Sequence, residues 1–496
     1  MPQQSTLVVA AVLLPLSGVL LCFLFSAFAR GLFLITVALT STVVLSLALN
    51  LPDSGAVRHL VGGWGAPLGI ELYADGLAVF LLLTTTLTIA AVAIYGVRYF
   101  ESPTQPATFW PLLCFLWTAL NALFLSGDIF NLYITLELMG LSAVALVALA
   151  GGETALTGAM RYLLVTFLGS LSYLLGVALL YHAAGTLDIQ LLGERLGPDT
   201  TTWIALCLIT GAMVLKSALF PLHFWLPPAH SSAPAPVSAV LSGLVVIASF
   251  YILLRLWLEV MPEGKAPLGQ LLAVLGAIAI VWGSLIALRQ PQVKLLVAYS
   301  TVAQLGYLFL PFAIRNTELA AAAWRGALYL VLCHALAKAA MFMAVGNVLR
   351  FGGHDNIDDQ DHSVQRLPAT LAAFGLAGVT IIGLPPSGGF LAKWMLLEAS
   401  VGARQWWLAF VILGGGLLAA AYIFRVVGLA FTEGSLAREP RIVPRPMEWI
   451  CLGLAFASLV LGIAAVPLLE LLDVGLPFGG APNGVLEDES LSGVSP

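Results

Sequence analysis

Long apolar runs alternate with short polar breaks along the whole chain. A helix needs about 20 apolar residues to cross the hydrocarbon of a bilayer. Runs near 5–28, 31–52, 74–97, 107–126, 128–150, 161–184, 202–222, 235–260, 268–288, 295–313, 323–349, 369–396, 405–431 and 446–471 approach or exceed that length. The pattern predicts an all-α integral membrane protein of about fourteen transmembrane helices, with element ends placed to within several residues. Between 107 and 150 the apolar run is almost unbroken, and Gly127-Asp128 supplies the turn that divides it. From Pro477 the chain turns Gly-rich and acidic (Glu487, Asp488, Glu489) and reads as a disordered tail.

Composition agrees with this reading. Sixty per cent of the 496 residues are hydrophobic and 9% are charged, against about 25% charged in soluble domains. The first charge is Arg30, so the first apolar run lacks a basic leader and reads as a retained helix. The five cysteines (Cys22, Cys114, Cys207, Cys333, Cys451) are far apart inside apolar runs. Their spacing argues against disulfides, zinc and iron–sulfur clusters. A net charge of −5 without a basic run argues against nucleic acid. No Gly-rich phosphate loop is present.

With the N-terminus outside, the inner loops hold Arg30, Arg98, Arg161, Arg289, Lys294, Arg350, Arg366, Arg438, Arg441 and Arg445. The outer loops hold Arg58, Arg195, Lys265, Arg315, Arg325 and Arg404. This modest excess of basic residues inside sets the expected orientation in the cell (inner) membrane. An even helix count puts both termini outside.

Two runs depart from a plain lipid-facing helix. The seventh contains Lys216, Pro221, His223, Pro227, Pro228 and His230. The twelfth reads Ile382-Gly383-Leu384-Pro385-Pro386-Ser387-Gly388-Gly389-Phe390-Leu391-Ala392-Lys393. Proline breaks the helical ladder, and a lysine at membrane depth costs roughly 3 kcal/mol on insertion scales. Interrupted helices at matching places, five helices apart, are the signature of inverted-repeat transporters. The expected organisation is three N-terminal helices (1–106), a first inverted repeat (107–260), a second (261–431), a last helix (432–476) and the tail (477–496).

The ionisable residues at membrane depth are Glu137, Lys216, Arg255, Lys338, Lys393 and Arg425, with His223, His230 and His334 close by. A proton relay needs groups that gain and lose a proton. Burial disfavours the charged form of both lysine and glutamate, whereas arginine stays protonated. Glu137 stands about nine residues into the fifth run, roughly 14 Å deep, and Lys216 is its natural partner. The alternative is a structural ion pair locking two helices. His334 and Lys338 are one turn apart and share a helix face; the alternative is a polar seam. His230 follows the seventh-run break, either as a gate toward the inner side or as a loop histidine. Asp128 and Lys294 read as interfacial anchors at helix ends.

Several of these segments resemble the antiporter-like membrane subunits of complex I (NADH:quinone oxidoreductase). They are Gly127-Asp128-Ile129-Phe130-Asn131-Leu132-Tyr133 with Glu137, Lys216 with Pro221-Leu222-His223-Phe224-Trp225-Leu226-Pro227, and Ala229-His230-Ser231-Ser232-Ala233-Pro234-Ala235-Pro236-Val237-Ser238. Lys294-Leu295-Leu296-Val297-Ala298-Tyr299-Ser300-Thr301, His334-Ala335-Leu336-Ala337-Lys338 and Gly383-Leu384-Pro385-Pro386-Ser387-Gly388-Gly389-Phe390 with Lys393 complete the set. Over nearly the whole chain the resemblance is closest to the D-type subunits of the Mrp-type multisubunit cation/proton antiporters. It implies inverted repeats, a central line of buried charges that moves protons, no cofactor in this subunit, and other membrane subunits as partners. Two positions depart from the family. Pro228 stands where an aspartate is usual. Aligned through Pro236-Val237-Ser238, Ile247 stands where a lysine commonly links the two halves. A water bridge held by Ser242, Ser249 and His334 would then be needed to carry the relay across.

The reading is a proton-translocating subunit of an Mrp-type sodium/proton antiporter, working through Glu137, Lys216, His230, His334, Lys338 and Lys393. Two alternatives stand beside it: a membrane-arm subunit of an NADH:quinone oxidoreductase or related hydrogenase, driven by redox chemistry elsewhere, and a non-conducting structural subunit.

Overall fold

The computed structural model describes residues 2–67, 69–100, 108–315, 317–357, 366–429 and 441–475. The expected acidic tail at 477–496 and Arg438 lie outside the described residues. The first helices are α1 (Pro2–Leu24), α2 (Ala29–Ser54), α3 (Gly76–Tyr99), α4 (Phe109–Phe124), α5 (Ile129–Ala148) and α6 (Gly152–Ala184). A short α7 (Ile189–Arg195) leads to α8 (Thr200–Lys216) and α9 (Leu226–Ser232). The continuous span α10 (Ala235–Glu259) follows, then α11 (Ala266–Arg289), α12 (Val293–Phe309) and α13 (Thr317–Gly352). The chain closes with α14 (Pro368–Ile382), α15 (Gly388–Gly402), α16 (Trp406–Leu429), α17 (Arg445–Val460) and α18 (Val466–Leu472). Between α2 and α3, β1 (Val57–Leu60) and β2 (Glu71–Ala74) form an antiparallel hairpin with Arg58 opposite Tyr73. Leu72 of β2 bridges to Ser126, which lays the hairpin on the α4–α5 turn.

Helices fall on every one of the apolar runs, and among the described residues ten of them have the length and apolarity of a full crossing. These ten make the chain a multi-pass membrane protein. The fourth, seventh, twelfth and fourteenth runs are met by shorter helices, α4, α8, α14 and α17. In the seventh and twelfth the cause is chemical. Proline interrupts the ladder at Pro221 and at Pro385-Pro386, and each run splits into two half-helices, α8/α9 and α14/α15.

Caps fix several starts. The Asp128 carboxylate accepts from the Phe130 (2.9 Å) and Asn131 (2.7 Å) N–H groups and so divides α4 from α5. Asp199 caps α8, and its hydrogen bonds with the Thr202 hydroxyl and backbone amide hold its carboxyl below the usual carboxylate range.

The layering is set by burial. The apolar windows of α10 and α13 are wholly buried, whereas those of α1 and α2 are 28% and 33% buried. Hence α10 and α13 form the centre and α1 and α2 a rim with exposed Leu and Phe side chains. Arg325, expected in a loop, is in the first turns of α13 and pairs with Asp473 at 2.7 Å. Arg161 likewise belongs to α6.

Candidate functional site: a buried line of charge

The site begins where α5, α6 and α8 meet. Glu137 is the ninth residue of α5 and Lys216 the last of α8. Small residues let these helices approach. A side chain at Gly140 would lie 2.6 Å from the Thr166 methyl, and one at Gly169 would lie 2.9 Å from Lys216 Cε. A side chain at Gly176, one heptad on, would meet Ile209 of α8 at 2.5 Å. Such a small-residue seam is how membrane helices pack closely. The lysine stem therefore lies across Gly169, and Nζ comes within 3.3 Å of Glu137 Oε1. Ser170 completes the group: its hydroxyl donates to Glu137, and Lys216 Nζ donates to Ser170 Oγ at 2.5 Å.

The break after Lys216 shapes its surroundings. Ala218 takes a left-handed backbone (φ +52°), a conformation that costs a residue with a Cβ about 1–2 kcal/mol. Trp225 closes the break by donating its indole N–H to the Leu215 carbonyl at 3.0 Å, and it stacks on Tyr162. The carbonyl at the end of α8 is thus occupied, and Lys216 is left to face Glu137. Beside it is a small cavity lined by Lys216, Thr166, Tyr162, Trp225 and Ser249, with about 10 Å³ of room for water centres. That is space for one water, and Lys216, Thr166, Tyr162 and Ser249 bring polar side chains to its lining.

The second half is built differently. Lys338 of α13 is fully buried; it donates to Ser300 Oγ and, at 3.1 Å, to the Val297 carbonyl, both on α12. Lys393 of α15 donates to the Ile381 (2.7 Å) and Ile382 (3.3 Å) carbonyls, the last of α14. Its ammonium also rests 4.2 Å from the centre of the Tyr307 ring. A helix C-terminus carries partial negative charge, so α14 itself answers the Lys393 charge. Among the described residues, neither lysine has a carboxylate within ion-pair distance.

Between the halves runs α10. A π-turn at Leu241–Val245 interrupts it, a feature frequent at functional sites. Ser242 in that turn hydrogen-bonds Thr301 at 2.8 Å, next to the Ser300 that holds Lys338. His334 approaches the Ser242 backbone, but neither ring nitrogen meets hydrogen-bond geometry with a described residue. Ile247 is buried. Ser249 reaches the Lys216 cavity.

His230 is not in a loop. It lies within α9, fully buried, and stacks on Phe342 of α13 with centroids 4.8 Å apart. His223 sits in the break against Phe220 and Tyr299. Lys294 is no interfacial anchor. It is 6% exposed and donates to the Ala233 and Ser231 carbonyls, so it caps the end of α9. Arg255 is tied to Asp75 by two 2.5 Å hydrogen bonds and to Glu259 at 3.0 Å. Arg425 donates to the Leu288 and Gln290 carbonyls at the end of α11. Ser170, Ser300, Thr301 and Tyr307 were not among the residues expected from sequence, and a serine or tyrosine in an apolar helix carries no local signal of its role. The N-cap position of Asp75, just before an apolar run, is the one such signal that sequence offers.

Both the sequence and the fold recur in known proteins. The family described as NADH:quinone oxidoreductase/Mrp antiporter, transmembrane, matches residues 126–419, the stretch that holds every site residue named above except Asp75 and Arg425. The chain is 36% identical to NADH-quinone oxidoreductase subunit N of Desulforudis audaxviator, over 92% of this chain and 95% of that protein. It is 27% identical to the D-type subunit of the Na(+)/H(+) antiporter of Alkalihalophilus pseudofirmus, over 86% and 87%. Its fold matches a chain of the Mrp complex from Dietzia sp. (TM-score 0.86, 23% identity, 95% and 96% covered). It also matches a chain of the membrane-bound sulfane sulfur reductase, an archaeal respiratory membrane complex (TM-score 0.85, 27% identity, 94% and 96% covered). The seam of α5, α6 and α8, the two broken helices and this shared sequence lead to one conclusion: the chain belongs to the NADH:quinone oxidoreductase/Mrp antiporter transmembrane family.

Proposed function

We propose that the chain is the proton-translocating subunit of a multisubunit Mrp-type sodium/proton antiporter. The observation that carries the reading is the Lys216–Ser170–Glu137 group, a charge pair near mid-membrane at the broken end of α8. Separating the pair raises the cost of keeping each charge in a low-dielectric site. Opening and closing it therefore changes how readily Lys216 gives up its proton. In this reading the proton passes to the cavity at Ser249, across α10 by Ser242 and Thr301, and on to Lys338 and Lys393, with His334 and His230 alongside. Ile247 is bypassed by hydroxyls and water. The segments 107–260 and 261–431 act as two inverted repeats, each with one broken helix. The partners are further membrane subunits, as in the multisubunit complexes whose chains share this fold.

The second reading, a redox-driven membrane arm, is favoured by the 36% identity to an NADH-quinone oxidoreductase subunit N. The experiment that separates them is purification of the intact complex followed by reconstitution into vesicles. Antiport is expected: added sodium drives proton movement without any electron donor. Co-purifying redox subunits, with proton movement only during electron transfer, would establish the second reading.

A further inference from the structure

We propose that Ser170 is a proton-relay residue between Lys216 and Glu137. The inference deepens the reading above and rests on it. The distances set the route. Lys216 Nζ is 2.5 Å from Ser170 Oγ but 3.3 Å from Glu137 Oε1, and the Ser170 hydroxyl already donates to that same carboxylate oxygen. A hydroxyl has one proton to give and two lone pairs to receive, so it can do both at once. Hydrogen bonds to charged partners are the strong ones, and here both partners are charged.

The step balances. A Lys216 N–H bond breaks and its proton bonds to Ser170 Oγ, while the nitrogen keeps the electron pair. The Ser170 O–H bond breaks and its proton bonds to Glu137 Oε1. A neutral amine, a serine hydroxyl and a neutral carboxylic acid result. Two opposite charges vanish together in a site that is costly for charge, which makes the neutral pair accessible. Rotation of the hydroxyl resets the relay. Ser170 is 2% exposed and Lys216 7%, so bulk water is kept from the short path. Glu137 is the more open end, at 17% side-chain exposure; run in reverse, the relay returns the proton from Glu137 to Lys216, from which it passes on toward Ser249.

The test uses the whole complex in membrane vesicles. Ser170→Ala removes the hydroxyl and keeps the size; Ser170→Thr keeps the hydroxyl. Ser170→Ala is expected to assemble and to slow proton-coupled transport about tenfold, while Ser170→Thr stays within about twofold of the native complex. Infrared difference spectra of the working complex supply a readout that a merely structural role would not move. A carboxylic-acid band of Glu137, abolished by Glu137→Gln, should weaken in Ser170→Ala. If Ser170→Ala does not assemble, Ser170→Gly, which also removes the hydroxyl, carries the same test with the same expected results. Native transport in Ser170→Ala, or slow transport with an undiminished Glu137 band, overturns the relay. Native transport in Glu137→Gln would instead overturn the reading on which it rests; loss in Glu137→Gln with native transport in Ser170→Ala overturns the relay alone.

Discussion

The two broken helices treat their lysines in opposite ways. At the first break the helix-end carbonyl is taken by the Trp225 indole, and Lys216 turns to a carboxylate on another helix. At the second break Lys393 itself takes the helix-end carbonyls of α14, and an aromatic ring covers its other side. Each lysine stem crosses a glycine, Gly169 or Gly383, so the packing is alike and the electrostatics are not. A fixed dipole holds a charge steadily, whereas a carboxylate on a separate helix can move away or accept a proton. Under the proposed function, the contrast gives switching to the Lys216 break and steady conduction to the Lys393 break.

The largest effects should come from removing lysines. Lys216→Met and Lys338→Met are both expected to lower transport by at least about a hundredfold, because each breaks the relay. Their stabilities should differ. Lys216→Met leaves the partly buried Glu137 carboxylate with Ser170 as its remaining partner, which costs up to about 3–5 kcal/mol. Lys338→Met leaves only neutral acceptors unpaired, about 1–3 kcal/mol. Thermal midpoints of the purified complexes measure this; equal losses would erase the contrast between the halves.

A smaller effect is expected at Lys393. Lys393→Arg preserves the charge that answers the α14 terminus but cannot release a proton. Transport in vesicles should fall about tenfold with the thermal midpoint unchanged. Native transport would make Lys393 an anchor.

The glycines sharpen the comparison further. Gly383 has φ +87°, and a side chain there would come 2.8 Å from Lys393 Cδ. Gly383→Ala therefore carries backbone strain of about 1–2 kcal/mol besides displacing the lysine. Gly169 is helical, so an added methyl carries no backbone strain and meets only the Lys216 stem, at Cε (2.9 Å) and Cγ (3.0 Å); Gly169→Ala should cost less stability and slow transport a few-fold. The smallest effect is expected at Ile247. If water and hydroxyls carry the relay across α10, Ile247→Lys should assemble and transport at about the native rate. Failure to assemble, with native transport in both Ser242→Ala and His334→Ala, would favour the non-conducting alternative.

Much of this was legible in the sequence. Apolar length gave the helices, proline and glycine the breaks, and the depth of Glu137 its place opposite Lys216. Among the described residues ten runs make full-length crossings and four are met by half-helices or short helices, a distinction that a count of apolar residues runs together. Lys294 read as an interfacial anchor because its position near a helix start hides that α9 folds back over it. Asp75 and Arg255 are 180 positions apart, and only the fold joins them. The π-turn in α10 leaves no trace in composition, yet it sets which face Ser242 presents to Thr301.

The central claim is that Glu137 and Lys216 work as one unit. Transport by assembled Glu137→Gln, Lys216→Met and double-variant complexes tests it most directly. Residues acting together are non-additive, so the double variant should transport within about twofold of the weaker single variant. Losses that multiply in the double variant would show two independent groups and contradict the claim.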